Sequence, residues 1–135
     1  MASILGIDVG DHKIGLAVGD TETRMAFARP PLLVESWDHA WQPLIELLQH
    51  DHITKIVVGW PLHTDGTDGP QTEHIQRFVD ILQQHVSLPI IKRDERYSSA
   101  AVQREHQQAG HKLERGQEDS LAAQLILESY LSEPV

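Results

Sequence analysis

SILGIDVGDHKIGLAV, residues 3–18, is the stretch from which the fold can be read. Ser3 to Val9 is a continuous apolar run closed by Asp-Val-Gly, the pattern of a central strand buried on both faces. Gly10-Asp11-His12 supplies turn chemistry, and Lys13 to Val18 is a second strand, so the pair predicts a β-hairpin. Asp8 is the anomaly in this stretch. A carboxylate flanked by Ile7 and Val9 is costly to bury unless it is paired, hydrogen-bonded or bound to a cation. Its place at the carboxyl end of a strand is where open α/β sheets gather ligands. Capping the Gly10 turn would also account for it. Gly10 permits close approach of backbone or phosphate.

Outward from the hairpin, a third strand is expected between Phe27 and Val34, with Pro30 and Pro31 marking an edge or an interruption. Trp41, Leu44, Ile45 and Leu48 recur at helical spacing, with Pro43 confined to the opening turn. Lys55 to Gly59 reads as a short buried strand, followed by a loop from Trp60 to Gly69. Pro70 opens a second helix with the stripe Ile75, Phe78, Val79, Leu82. Pro89 to Arg93 is a fifth strand. Ser98 or Ser99 caps a third helix that Gly110 ends, and the last helix runs from about Glu118 to Leu131. The order βββαβαβαα, a hairpin followed by crossovers, predicts an α/β fold: a mixed five-stranded sheet with helices on both faces. With no repeat or linker, residues 1–135 read as one domain.

Two further carboxylate positions match Asp8. Asp94 and Glu95 end the fifth strand as Asp8 ends the first, and parity does not choose between them. Asp119 stands at the head of the last helix, with Ala122, Ala123, Ile126 and Tyr130 at three, four, seven and eleven residues beyond it. That spacing puts it on the stripe facing the sheet, whereas a carboxylate serving only the helix dipole suits an exposed position. Carboxylates converging at one end of a sheet require a cation. An all-oxygen site favours Mg²⁺ or Mn²⁺, ions that activate water and stabilise a leaving oxygen at phosphorus. The nine histidines lack zinc-site spacing and read as surface residues.

Charge restricts the partner. Eleven Lys and Arg against twenty Asp and Glu give −9, which opposes broad electrostatic binding of nucleic acid. Residues 92–115 nonetheless hold six basic side chains, among them Arg96 and Arg104, against four acidic ones. A local patch, with weak and salt-dependent affinity, is the expectation. The absence of cysteine, of a signal-peptide pattern and of a long apolar run predicts a cytoplasmic protein without a membrane partner.

Taken in order, GIDVGDHKIGLAV (6–18), VVGWPLHTDGTDGPQTE (57–73), LPIIKRDERYSS (88–99) and EDSLAAQLILESYL (118–131) resemble the YqgF/RuvX family of bacterial pre-ribosomal-RNA nucleases and Holliday junction resolvases. The resemblance spans nearly the whole chain. It implies an RNase H-like fold and a divalent-metal phosphodiesterase of the two-metal type, using Mg²⁺ or Mn²⁺. It also implies an acidic triad of Asp8, Glu95 and Asp119, which selects Glu95 over Asp94. Gly10, Lys13, Asp65 of the Trp60–Pro70 loop, Arg96 and Arg104 are then the candidate substrate-binding residues. The implied substrate is structured RNA, in 5′-end processing of pre-16S rRNA, with branched DNA as the alternative. Tyr97, Ser98 and Ser99 stand where the family commonly has a leucine and two threonines, keeping the hydroxyls. The stretch His111 to Gln117 is less basic than usual, which bears on binding strength and not on the triad. Sugar kinases and Hsp70-type ATPases share the opening motif but need two such domains. A non-catalytic RNA-binding module of the same fold would bind without cutting. No dimer interface is legible, so monomer and dimer both stand.

Overall fold

The computed structural model describes residues 2–60, 70–94 and 120–133. Five strands, β1 (Ser3–Asp8), β2 (Lys13–Asp20), β3 (Ala26–Leu33), β4 (Ile53–Trp60) and β5 (Ile90–Asp94), form one sheet in the order β3-β2-β1-β4-β5. The first three are antiparallel neighbours, and β1, β4 and β5 run parallel, as the hairpin-then-crossover pattern requires. The most apolar strand, β1, is therefore the centre of the sheet. The third helix expected between Ser98 and Gly110 lies outside the described residues.

Strand alternation divides the core in two. Leu5, Ile7, Ile14, Leu16, Ile56 and Val58 face α1 (Trp41–His50) and α2 (Pro70–His85). Trp41, Leu44 and Leu48 of α1 are buried there, while Ile45 is only half-buried. Ile75, Phe78, Val79 and Leu82 of α2 are all buried, the stripe read from the sequence. Ile4, Ala17, Ala26 and Val57 face the other way, onto α3 (Leu121–Leu131). Helices thus cover both faces.

The α3 face is cut to small residues, and this decides how close the helix lies. Gly6 pairs with Ala17, and Gly19 pairs with Ile4 across the same ladder. A Cβ on Gly6 would stand 3.0 Å from the Ala123 carbonyl oxygen and 3.1 Å from Leu127 Cβ. One on Gly19 would stand 2.8 Å from Leu131 Cδ1. The helix consequently runs antiparallel to β1, with Leu131 near the start of that strand and Ala123 over Gly6. Ala123, Leu127 and Leu131, spaced by four, are buried, whereas Ala122 and Tyr130 are only half-buried. Of the stripe expected through Ala122, Ala123, Ile126 and Tyr130, Ala123 and Ile126 are buried against the sheet and Tyr130 packs against the same cluster, while Leu127 and Leu131 extend it and Ala122 is left at its edge.

β3 is an edge strand, and its register shifts by one between Leu16↔Arg29 and Ile14↔Leu32. β2 spends two residues where β3 spends three, so Pro30 and Pro31 occupy a bulge. Both readings of the two prolines, edge and interruption, hold, because proline has no N–H to give a ladder.

Candidate active site at the carboxyl end of the central strand

Asp8 is the last residue of β1, half-buried and opposite Gly15 of β2. Alternation from Ile4 and Gly6 puts its side chain on the α3 face. The amino end of α3 comes to the same place. Ser120, its N-cap residue, is fully buried and makes no capping hydrogen bond with its side chain. Its Oγ instead accepts the backbone N–H of Leu16 at 3.1 Å, beside the β3 bulge. Leu16 pairs with Ile7, the neighbour of Asp8. One hydrogen bond thus fixes the head of the helix to the strand next to the carboxylate. The helix N-terminus brings a partial positive charge to that end, which favours anionic groups.

The turn following Asp8 is held from the other side of the sheet. A Cβ on Gly10 would lie 2.3 Å from the Lys13 carbonyl oxygen, so the turn closes only on glycine. The close approach anticipated at Gly10 is that of the chain to itself. The Trp37 indole N–H donates to the Gly10 carbonyl at 2.9 Å. Trp37 also meets Phe78 edge-on at 5.2 Å and His74 at 4.7 Å between ring centres. His74 in turn pairs with Asp11. The loop after β1 is therefore braced by α2 and by the short 3-10 turn Trp37–His39. Lys13 is exposed and begins β2, with the parity of Gly15 and Ala17, and so lies on the face of Asp8.

The sequence reading missed Ser120 and Trp37. A serine ahead of an apolar helical run signals an N-cap, but its use against Leu16 depends on a partner 104 residues away. The histidines among the described residues are exposed, as expected, yet His74 and His85 still make ring contacts with Trp37 and Trp41. Two of the six basic residues counted toward a nucleic-acid patch are engaged within the fold. Lys92 Nζ lies 2.6 Å from Gln76 Oε1 and 4.3 Å from the centre of the Trp60 ring. Arg93 bonds Ser129 at 2.9 Å and pairs with Glu133, both on the α3 side. Glu95, Asp119, Asp65, Arg96 and Arg104 lie outside the described residues, as do Lys112 and Arg115. Among the described residues no three His, Cys, Asp or Glu side chains are grouped to hold a metal. No helix among them is long and apolar enough to cross a membrane.

Known proteins share both the sequence and the fold. The profile of the family described as "RuvX: Holliday junction resolvase" matches residues 2–133. A protein of Chloroflexus aurantiacus named "Putative pre-16S rRNA nuclease" is 35% identical over 130 residues, covering 95% of this chain and 85% of the relative. One of the same name from Maridesulfovibrio salexigens is 34% identical over 131 residues, covering 96% and 97%. Among solved structures, T. thermophilus RuvC in complex with a Holliday junction substrate superposes with a TM-score of 0.64 at 13% identity, covering 97% of this chain and 94% of RuvC. The Fowlpox virus resolvase bound to Holliday junction DNA follows with a TM-score of 0.53 at 11% identity, covering 97% and 99%. At those identities the structural likeness speaks for the fold, an RNase H-like mixed sheet. The match of the profile across nearly the whole length, with relatives at 35% identity, shows that this chain belongs to the RuvX family.

Proposed function

We propose that this protein is a nuclease that hydrolyses phosphodiester bonds in the 5′-end processing of pre-16S rRNA. The observation that carries the reading is the meeting of two chain segments at one end of the sheet. Asp8 ends β1 on the α3 face, and Ser120 ties the head of α3 to Leu16 on the adjoining strand. Asp119 is the residue before Ser120. Ala123, Leu127 and Leu131, at four, eight and twelve residues beyond it, are buried against the sheet. Arg93, near the end of β5, is held on the same face by Ser129. We take Asp8, Glu95 and Asp119 as the acidic triad, with Glu95 preferred to Asp94 because the family resemblance selects it.

The donor set is carboxylate oxygen throughout, which fits Mg²⁺ or Mn²⁺ and not a softer metal. Such ions, when bound, supply Lewis-acid stabilisation of the charge that develops on phosphate oxygens in hydrolysis of the two-metal type. The protein's own part is positioning. The Trp37–Gly10 hydrogen bond and the Ser120–Leu16 hydrogen bond hold the two sides of the site before substrate arrives. Lys13, an exposed residue on the face of Asp8, is a proposed substrate contact, as are Gly10, Asp65, Arg96 and Arg104. The protein acts in the cytoplasm, as one domain.

Resolution of four-way DNA junctions is the second reading, favoured by the family's description and by the fold neighbours solved with junction DNA. The test presents labelled pre-16S rRNA fragments and four-way junctions side by side, with Mn²⁺ and with chelator. Metal-dependent cutting of the RNA alone is expected, abolished in Asp8→Asn. Product lengths separate internal from terminal cleavage. Binding of RNA without cutting under all conditions would identify a non-catalytic module and end the nuclease reading.

A further inference from the structure

The bulge in β3 re-aims one side chain toward the candidate site. Ala26 and Ala28 pair with Gly19 and Ala17, and Ala26 is buried on the α3 face. Strict alternation would send Leu32 to that face and Leu33 to the opposite one. The extra residue at Pro30–Pro31 reverses both. Leu32 joins Ile14 and packs against the α1/α2 core. Leu33 comes opposite Lys13, on the face shared by Gly15 and Asp8.

The outcome is a leucine left 71% exposed at the rim of a site. Lone exposed leucines are ordinary on protein surfaces. This one differs because a register shift was needed to turn it outward, and bulges near active sites serve that purpose. From a strand spacing of about 4.8 Å and a rise of about 3.3 Å per residue, its Cα stands roughly 12 Å from that of Asp8. An alkyl side chain and a lysine, opposite each other across one strand pair, match the two halves of a nucleotide. The base face takes the apolar contact and the phosphate takes the charge.

We propose that Leu33 is a substrate-contacting residue that packs against an unpaired nucleobase, while Lys13 holds a neighbouring phosphate. The inference rests on the nuclease reading and adds to it a preference for strands whose bases are not stacked in a duplex. Phe27, 58% exposed on the same strand but opposite Val18, is the control at a distance from Asp8.

The probe is a single-stranded RNA carrying 2-aminopurine at successive positions, with a blunt duplex of the same sequence, measured in chelator by fluorescence and anisotropy. For the wild type, one position of the single strand should change its fluorescence on binding. Leu33→Ser should abolish that change and weaken single-strand binding by roughly three- to fivefold, less than loss of an aromatic stacking contact would. Duplex affinity and Tm should be unaltered, and Phe27→Ser should bind like the wild type. Equal losses on single strand and duplex, equal losses in both variants, or no loss in Leu33→Ser would each overturn the proposal. If the wild type also cuts with Mn²⁺, such a failure concerns Leu33 alone. A wild type that neither binds nor cuts RNA would take the nuclease reading down with it.

Discussion

Replacing Gly6 with alanine tests the close seating of α3, on which the candidate site depends. The added Cβ would meet the Ala123 carbonyl oxygen at 3.0 Å and Leu127 Cβ at 3.1 Å. Comfortable contacts between heavy atoms of this kind lie near 3.5–4.0 Å. Neither neighbour can rotate away, since one is helix backbone and the other is attached directly to it, so α3 itself must lift by several tenths of an ångström. Overpacking of this sort costs about 1–3 kcal/mol. Alanine recovers roughly 0.4–1 kcal/mol by restricting the unfolded chain. The net loss is then centred near about 1.3 kcal/mol and reaches about 2.6 kcal/mol at most. With an unfolding entropy of about 2.1 cal/mol/K per residue, this corresponds to a Tm lower by roughly 5 °C, and by roughly 9 °C at most. Scanning calorimetry or thermal circular dichroism measures it. Gly19→Ala provides the contrast. Its two nearest contacts, Leu131 Cδ1 and Leu127 Cδ2, are ends of flexible side chains toward the other end of α3. The third, the Met25 carbonyl oxygen at 3.2 Å, is backbone just before the edge strand β3 and not part of the helix. That variant should lose less stability and keep its cleavage rate, while Gly6→Ala loses both. An unchanged or raised Tm for Gly6→Ala would refute the close helix–sheet packing and the argument that places the helix head beside Asp8.

Three other outcomes follow from the same geometry. Ser120→Ala should cost about 1–3 kcal/mol in urea denaturation, because it leaves the Leu16 N–H without its acceptor inside the fold; hydrogen exchange at Leu16 that stays as slow as in the wild type would count against this. Trp37→Phe keeps the ring against Phe78 but removes the hydrogen bond to Gly10, so a loss of about 0.5–1.5 kcal/mol is expected, and a cleavage rate that falls further than stability would show that the turn positions the site. Asp119→Asn should abolish Mn²⁺-dependent cleavage with an equal or higher Tm, since it removes a like charge from the proposed triad at almost no cost in shape; wild-type cutting would exclude Asp119 from the reaction.

Much of the architecture was readable in the sequence because its causes are local. The apolar run before Asp8 declares a central strand. The stripe Ile75, Phe78, Val79, Leu82 declares one helix face, and Pro70 marks where that helix begins. Each signal is a repeat of two or of about 3.6 residues, complete within one segment. Asp8 likewise announced itself, because a carboxylate at the end of such a run needs a reason. The proposed partner carboxylates could be suspected from segment ends and by resemblance, but no periodicity in β5 chose between Asp94 and Glu95.

The rest of the site's construction belongs to relations between segments. The pairing of β4 with β5 gives Arg93 the face of α3. Lys92 and Arg93 counted as free positive charge until the structure brought Gln76, Ser129 and Glu133 to them. Ser120, which the sequence reading missed, proves to tie the helix head to a strand 104 residues earlier in the chain. The Pro30–Pro31 pair told of an interruption, but only the register of β3 against β2 shows that it turns Leu32 inward and Leu33 out. Period and capping are written in adjacent residues, whereas a one-residue shift in pairing reverses the face of everything after it, and pairing is settled only when the strands meet.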